Sequence, residues 1–300
     1  MNSAMMYTPE FVAQLDAHPW ACQCAGCHGE KPLQQLRWRE EQRVSAPLQC
    51  DSAAAAILCL NEAFALQHAA VAPLEAPALC PRLQALNQQT IFLLLNDEVP
   101  LAERLYAVGV LLSKCQKLQE VDAIQQVGDE LQALTHSGLM REAFAALPAI
   151  DAYPLAALRQ LGHIELDASL DPLTGMTLVM KLNELAALSD DYLLPLLNEL
   201  RDDAQVQAFM QQHAEKWRNY VLWYAYHSMF PGTDVAQWEN QFLQLSQRVF
   251  GISVIVGLLQ IEQCELDDNT LAALFAAWER QPLPALSDDN ALLIGLSLLK

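Results

Sequence analysis

The chain has 300 residues, 53% hydrophobic and 18% charged, with 11 Gly and 15 Pro, a composition that buries a large core and excludes a disordered or fibrous protein. Lys and Arg total 17 against 36 Asp and Glu, a formal charge of −19, and a field of that sign repels phosphate backbones and anionic lipid heads. Nucleic acid and membrane surfaces are therefore not expected partners, whereas a basic, lysine-presenting protein surface is.

In chain order, Met1 to Pro9 lacks the basic stretch and apolar core of a signal peptide, so a cytoplasmic location is expected. Next come Cys22, Cys24, Cys27 and His28, three thiols and an imidazole within seven positions. Small residues between soft ligands let a loop wrap zinc or an iron–sulfur cluster, and spacing alone does not separate the two. Cys50, Cys59 or Cys80 supplies the fourth thiolate, or His28 completes the set, which would favour zinc. Six of the eight cysteines precede residue 81. Core cysteines have no reason to crowd so, and a cytosolic chain disfavours disulfides. The plain alternative is a set of reduced thiols that hold nothing.

Asp51 and Ser52 can start an alanine-rich helix expected to reach about His68. Thr90 to Leu95 is the one strand candidate and reads equally well as helix. A composition shift near residue 95 divides a cysteine-rich metal module, 1–95, from an all-helical domain, 96–300. After Pro100, the residues Leu101, Leu105, Val108, Leu111, Cys115 and Leu118 form one apolar stripe. Helices are expected at about 121–135, 138–147, 151–161, 172–187 and 191–200, with Pro148, Pro154, Pro172 and Pro195 near their boundaries. Longer ones, 204–229 and 234–261, flank the turn Phe230-Pro231-Gly232-Thr233. The most apolar run, Val249 to Ile261, is too short to span a bilayer and reads as a buried helix. Further helices start at Asp267 or Asp268 and at Ser287. The fold class is thus mainly α: an irregular cysteine-rich N-terminal module followed by a multi-helix domain.

Familiar catalytic motifs are absent: no G-x-G, P-loop, G-x-S-x-G or H-E-x-x-H occurs. His68, His136, His163 and His213 stand alone, and Asp190-Asp191 and Asp202-Asp203 read as helix borders. Between 215 and 230, helical spacing places Asn219, Trp223, Tyr226 and Phe230 on one stripe and Tyr220, Tyr224 and His227 on its neighbour. Such groups can hydrogen-bond a polar ligand or enclose an alkylammonium, or can simply fill a core.

Several short segments, in order, resemble the flagellin lysine-N-methylase family. Tyr7-x-Pro9-x-Phe11-Val12 opens into a cysteine cluster, Cys50 and Cys59 keep the spacing of the family's second pair, and Leu79-Cys80-Pro81 is similar to its S-C-P-E-A-A element. Leu101 to Leu105 through Gln116 to Gln119 is similar to its E-R-L…Q-K-L-Q helix, and Asn219-Tyr220-Val221-Leu222 to Phe230-Pro231 resembles E-N-Y-L…L-F-P. The chain departs from the family in compressing the opening cysteines and in having no cysteine between Cys59 and Cys80. The resemblance implies methyl transfer from S-adenosylmethionine to lysines of flagellin, and it tips the metal toward an iron–sulfur cluster held by Cys22, Cys24, Cys27, Cys50, Cys59 and Cys80, with His28 and zinc as the alternative. Lysine methylation needs a desolvated neutral amine and a proton acceptor. By residue chemistry Tyr220, Tyr224 and Tyr226 are the catalytic candidates, and Asn219 and Trp223 the cofactor-binding ones. The competing expectation is a non-enzymatic helical adaptor or secretion-associated chaperone, with or without a structural zinc.

Overall fold

A small sheet that the sequence does not announce organises the N-terminal residues. The computed structural model describes residues 4–283, 286 and 290–300. Its strands are β1 (Ala4–Pro9), β2 (Gln34–Arg37), β3 (Glu41–Ser45) and β4 (Leu66–Val71), in the order β2-β3-β1-β4, with β1 parallel to β3 and the other pairs antiparallel. Helix α1 (Glu10–Ala17) follows β1, and α2 (Asp51–Cys59) follows β3. All of β3 is buried although its sequence is Glu-Gln-Arg-Val-Ser. Its charges survive burial because they are matched: Arg43 Nε donates to Glu41 Oε1 at 2.6 Å and Arg43 Nη1 to Asn87 Oδ1 at 2.8 Å, while Gln84 donates to Glu41 Oε2 at 2.9 Å.

Two expectations in this region are corrected. The alanine-rich helix ends at Cys59 rather than near His68, which sits in β4. The side-chain amide of Asn219 donates to the carbonyls of Leu58 and Leu60, satisfying groups that another helical turn would have used. Residues 90–95 are not a strand; they close α3 (Pro81–Leu95).

The helical order downstream is as expected: α4 (Leu101–Cys115), α5 (Val121–His136), α6 (Leu139–Ala146), α7 (Ala152–Leu161), α8 (Pro172–Ala187) and α9 (Asp190–Asp202). Pro195 lies inside α9 rather than at its border, and Asp203 caps α10 (Ala204–Gln212) by accepting from the Gln205 and Val206 amides. The helix expected over 204–229 is two, because His213 leaves helical geometry (φ −108°, ψ 21°) before α11 (Ala214–His227). After the Phe230–Gly232 turn, a single 3-10 turn leads into α12 (Trp238–Ile261), followed by α13 (Asp268–Arg280) and α14 (Ala291–Leu298). The expected start at Ser287 lies outside the described residues.

α12 is the axis of the core, touching α4, α7, α8, α9, α10, α11, α13 and α14. It is long and apolar enough to cross a membrane, but 83% of its most apolar window is buried inside the protein. Gly251 lets it approach α13, since a Cβ there would come within 2.3 Å of the Trp278 ring. One continuous hydrophobic core takes in Phe11, Leu48 and Ile57 from the N-terminal residues and Trp223, Phe242 and Phe275 from the helical ones.

Candidate metal centre

Four of the six expected thiols meet. The Sγ atoms of Cys22, Cys24, Cys27 and Cys50 all lie within 4.8 Å of one another, with Cys24 and Cys27 3.7 Å apart and Cys22 and Cys50 3.8 Å apart. The loop closes on itself through Cys27 N–H and His28 N–H, both donating to the Cys24 carbonyl, and reverses at His28 (φ +51°) and Gly29 (φ +87°). It presses on the segment leading to Cys50 at Gly26, where a Cβ would sit 1.9 Å from the Gln49 carbonyl oxygen. Cys50 is the N-cap residue of α2, so the positive end of that helix faces the thiols. The Asp51 amide donates to Cys24 Sγ at 3.4 Å.

Electrostatics differ across the quartet. Burial pushes the Cys22 thiol up, but hydrogen bonds from Ser52 and from Cys24 outweigh it and bring the thiol down to about 6. Burial raises Cys27, and burial together with the neighbouring sulfurs raises Cys50. Four adjacent thiols cannot all ionise without a compensating cation. The donor set therefore suits a soft ion.

His28 is exposed and does not join the quartet. Cys59 is at the far end of α2, about 13 Å of helical rise from Cys50. There its thiol contacts the Asp268 carbonyl at 3.8 Å, and burial raises it to about 11. Cys80 is exposed ahead of α3. The thiol that meets Cys22, Cys24 and Cys27 is thus Cys50.

A supporting layer comes from α13. Arg280 Nη1 donates to the Gln49 carbonyl at 2.7 Å and lies 3.2 Å from Asp51 Oδ1, and its Nη2 donates to the Asp167 carbonyl at 2.5 Å. Gln49 Nε2 in turn donates to the Glu279 carbonyl at 3.4 Å. No spacing rule pointed to Arg280, because its partners Gln49, Asp51 and Asp167 lie 231, 229 and 113 residues away in the chain.

The aromatic helix α11 is spent on the chain itself. Trp223 Nε1 donates to the Ala46 carbonyl at 2.9 Å, and Tyr226 Oη to the Tyr7 carbonyl at 3.3 Å. Tyr220 is fully buried and donates to Glu279 Oε1; burial raises both groups, while Arg248 Nε, 3.5 Å from that carboxylate, pulls Glu279 back. Burial raises Tyr224 to about 12 and raises Tyr226 further. Asn219, Trp223 and Tyr226 tie α11 to the N-terminal residues, while Tyr220 bonds Glu279 of α13 and Tyr224 packs against Trp223 and Phe230.

An open groove of about 440 Å³ lies across the sheet, where Thr8, Asp16, Gln35 and Arg37 stand beside the apolar Met6, Val12, Leu33 and Val44.

Residues 87–281 match the family model described as the FliB lysine N-methylase C-terminal domain. No curated protein and no solved structure matches the chain. The matched segment excludes the four thiols but includes α13, whose Arg280 holds the backbone beside Cys50.

Proposed function

The chain belongs to the FliB lysine N-methylase family through its C-terminal domain, and we propose that it is a cytoplasmic protein-lysine N-methyltransferase acting on a flagellin-type substrate, with a metal held at its N-terminal thiols. The observation that carries this reading is the union of that domain with a four-thiol centre in one continuous core. The formal charge of −19 supports a lysine-presenting protein as the partner.

The thiol contacts are compatible with a single tetrahedral ion. A thiolate–zinc bond of about 2.3 Å makes each sulfur–sulfur edge of a tetrahedron about 3.8 Å, which the Cys24–Cys27 and Cys22–Cys50 separations of 3.7 and 3.8 Å match. An iron–sulfur cluster sets several irons and sulfides between its ligands and spreads them wider. Zinc, the alternative in the sequence reading, is thus the ion we favour. Held by Cys22, Cys24, Cys27 and Cys50, it would tie the N-terminal loop to the start of α2 and supply folding energy.

When bound, S-adenosylmethionine would supply an electrophilic sulfonium methyl for a neutral lysine amine, with S-adenosylhomocysteine as the leaving group and the proton of the methylated ammonium passing to water. Asn219 and Trp223 spend their polar groups within the chain, so we place the donor in the sheet groove instead. There Arg37, which also donates its Nε and Nη2 to Gln35 Oε1, faces the carboxylate of its amino-acid end, and Asp16, paired with Lys31 at 2.8 Å, faces the ammonium by exchanging that partner, beside apolar walls for the adenosyl group.

The test is to purify the full chain, measure zinc, iron and acid-labile sulfide, and follow label from methyl-tritiated S-adenosylmethionine into flagellin monomer. One metal ion per chain without sulfide, together with lysine labelling, is expected. Iron with stoichiometric sulfide would replace the single ion by a cluster; flagellin left unlabelled by metal-loaded protein would sink the activity.

A further inference from the structure

The outward face of α8 is apolar, contrary to what a surface helix needs. Leu173, Met176, Val179 and Met180 are 68%, 58%, 56% and 64% exposed, while Thr174, Leu178, Leu182 and Leu185 bury the opposite face. At 100° per residue the four exposed side chains fall within about 120° of the helix circumference, so they form one stripe and not a scatter. Tyr192, 68% exposed in the first turn of α9, follows α8 by a two-residue connection. Grouped exposed apolar residues of this kind mark an interaction surface, and methionines suit one that must adapt to its partner.

The charges around the stripe say what covers it. Residues 165–203 carry nine carboxylates against two cations, Lys181 and Arg201. Both cations are already paired: Lys181 with Glu184 at 3.1 Å and Glu262 at 2.6 Å, Arg201 with Asp151 at 3.5 Å. A second copy of the chain would set two acid-fringed stripes against each other, and like charges in an interface are penalised. A helical ridge is met well by another helix, and an acidic fringe by lysines.

We propose that the α8 stripe, with Tyr192, is the docking surface for a lysine-bearing amphipathic helix of the substrate protein. The apolar face of that helix packs on Leu173, Met176 and Met180, and its flanking lysines face Asp191 and the net-acidic fringe in which Glu184 pairs with Lys181 and Asp190 with Arg159 at 2.6 Å. The proposal rests on the methyltransferase reading for the identity of the partner, but the surface stands on exposure and charge.

The experiment compares wild-type chain with Met176→Ser/Met180→Ser, whose substituted side chains are exposed and leave the core untouched, using flagellin monomer, an amphipathic Leu/Lys peptide and its Leu/Glu counterpart as probes. The double variant should raise the KM for flagellin about tenfold or more, with kcat, metal content and Tm unchanged. The Leu/Lys peptide should compete with flagellin and the Leu/Glu peptide should not. Equal behaviour of wild type and variant toward flagellin and the Leu/Lys peptide would overturn the proposal, as would a wild-type dimer that the variant breaks. Should wild type ignore flagellin yet bind the Leu/Lys peptide through Met176 and Met180, the methyltransferase reading fails and the surface stands.

Discussion

Arg280 Nη1 lies 2.7 Å from the carbonyl oxygen of Gln49, the residue before Cys50, so the last turn of α13 grips the backbone that presents the fourth thiol. The same guanidinium reaches Asp51 and the Asp167 carbonyl, and thereby joins the start of α2, the loop before α8 and the end of α13. Outer partners of this kind typically change metal affinity by roughly 10–100-fold when removed. Arg280→Met is expected to weaken zinc binding by that order in chelator competition. Arg280→Lys, which keeps the charge but cannot fork between two acceptors, should recover only part of it. Unchanged affinity in Arg280→Met would remove α13 from the support of the centre.

The loop and the α2 entry also meet without side chains. A Cβ on Gly26 would approach the Gln49 carbonyl oxygen to 1.9 Å, whereas one on Gly29 meets no atom within 4 Å and suffers only from its φ of +87°. Gly26→Ala should therefore cost about 2 kcal/mol or more in urea unfolding and reduce zinc content, because the backbone must move to relieve it. Gly29→Ala should cost only about 1 kcal/mol and leave zinc in place. Equal effects from the two would mean that Gly26 does not set the approach.

The sequence made the helices legible and hid the sheet, for a physical reason visible in β3 and β4. Strand alternation is readable only when one face is apolar and the other wet. Strand β3 is buried on both faces yet polar, its Glu41 and Arg43 satisfied by Gln84 and Asn87 across the fold. Strand β4, mostly exposed, has no inward face to pattern. The centre was half legible in the same way. Cys22, Cys24 and Cys27 declare themselves by spacing, but choosing Cys50 over Cys59 or Cys80 needs the direction of α2, and Arg280 needs the tertiary fold. Of the expected aromatic stripe, Asn219, Trp223 and Tyr226 lie on α11 and Phe230 falls in the turn beyond it. Its polar atoms prove to be structural donors to Ala46, Tyr7, Leu58 and Leu60.

His227 gives the fold an acid limb. Its ring stacks on Trp223 with centroids 5.1 Å apart and its Nδ1 lies 2.9 Å from Ser45 Oγ, and burial lowers it from the ordinary 6.5 to about 4. A depressed histidine is neutral in the folded chain and charged in the unfolded one below 6.5. Its contribution is therefore complete above 6.5 and lost as pH falls toward 4, a loss of about 3 kcal/mol in full. Urea unfolding over that window should show wild type losing stability faster than His227→Gln. Parallel curves for the two would show that the ring is not held neutral by burial.

Asn87 ties the strands to the helices. Its Nδ2 donates to the carbonyls of Ala225 and Phe230, both at 2.9 Å, and its Oδ1 accepts from Arg43 Nη1 at 2.8 Å, all inside the core. Removing the amide leaves a buried guanidinium donor and the Phe230 carbonyl short of a partner, while the Ala225 carbonyl keeps the Phe230 N–H at 3.2 Å, and each unsatisfied buried group costs about 1–3 kcal/mol. Asn87→Ala is thus expected to destabilise the chain by roughly 3 kcal/mol or more, with the loss felt at both Arg43 and the α11 end. Asn87→Asp separates the two halves of this role: it keeps the acceptor for Arg43 and loses both donors, so it should fall between wild type and alanine. The reading predicts non-additivity as well. Once Arg43 is replaced by Met, part of the cost of Asn87→Ala should vanish, because one of the partners it would strand is already gone. Full additivity of Asn87→Ala and Arg43→Met in urea unfolding would show that the two side chains do not act as one unit.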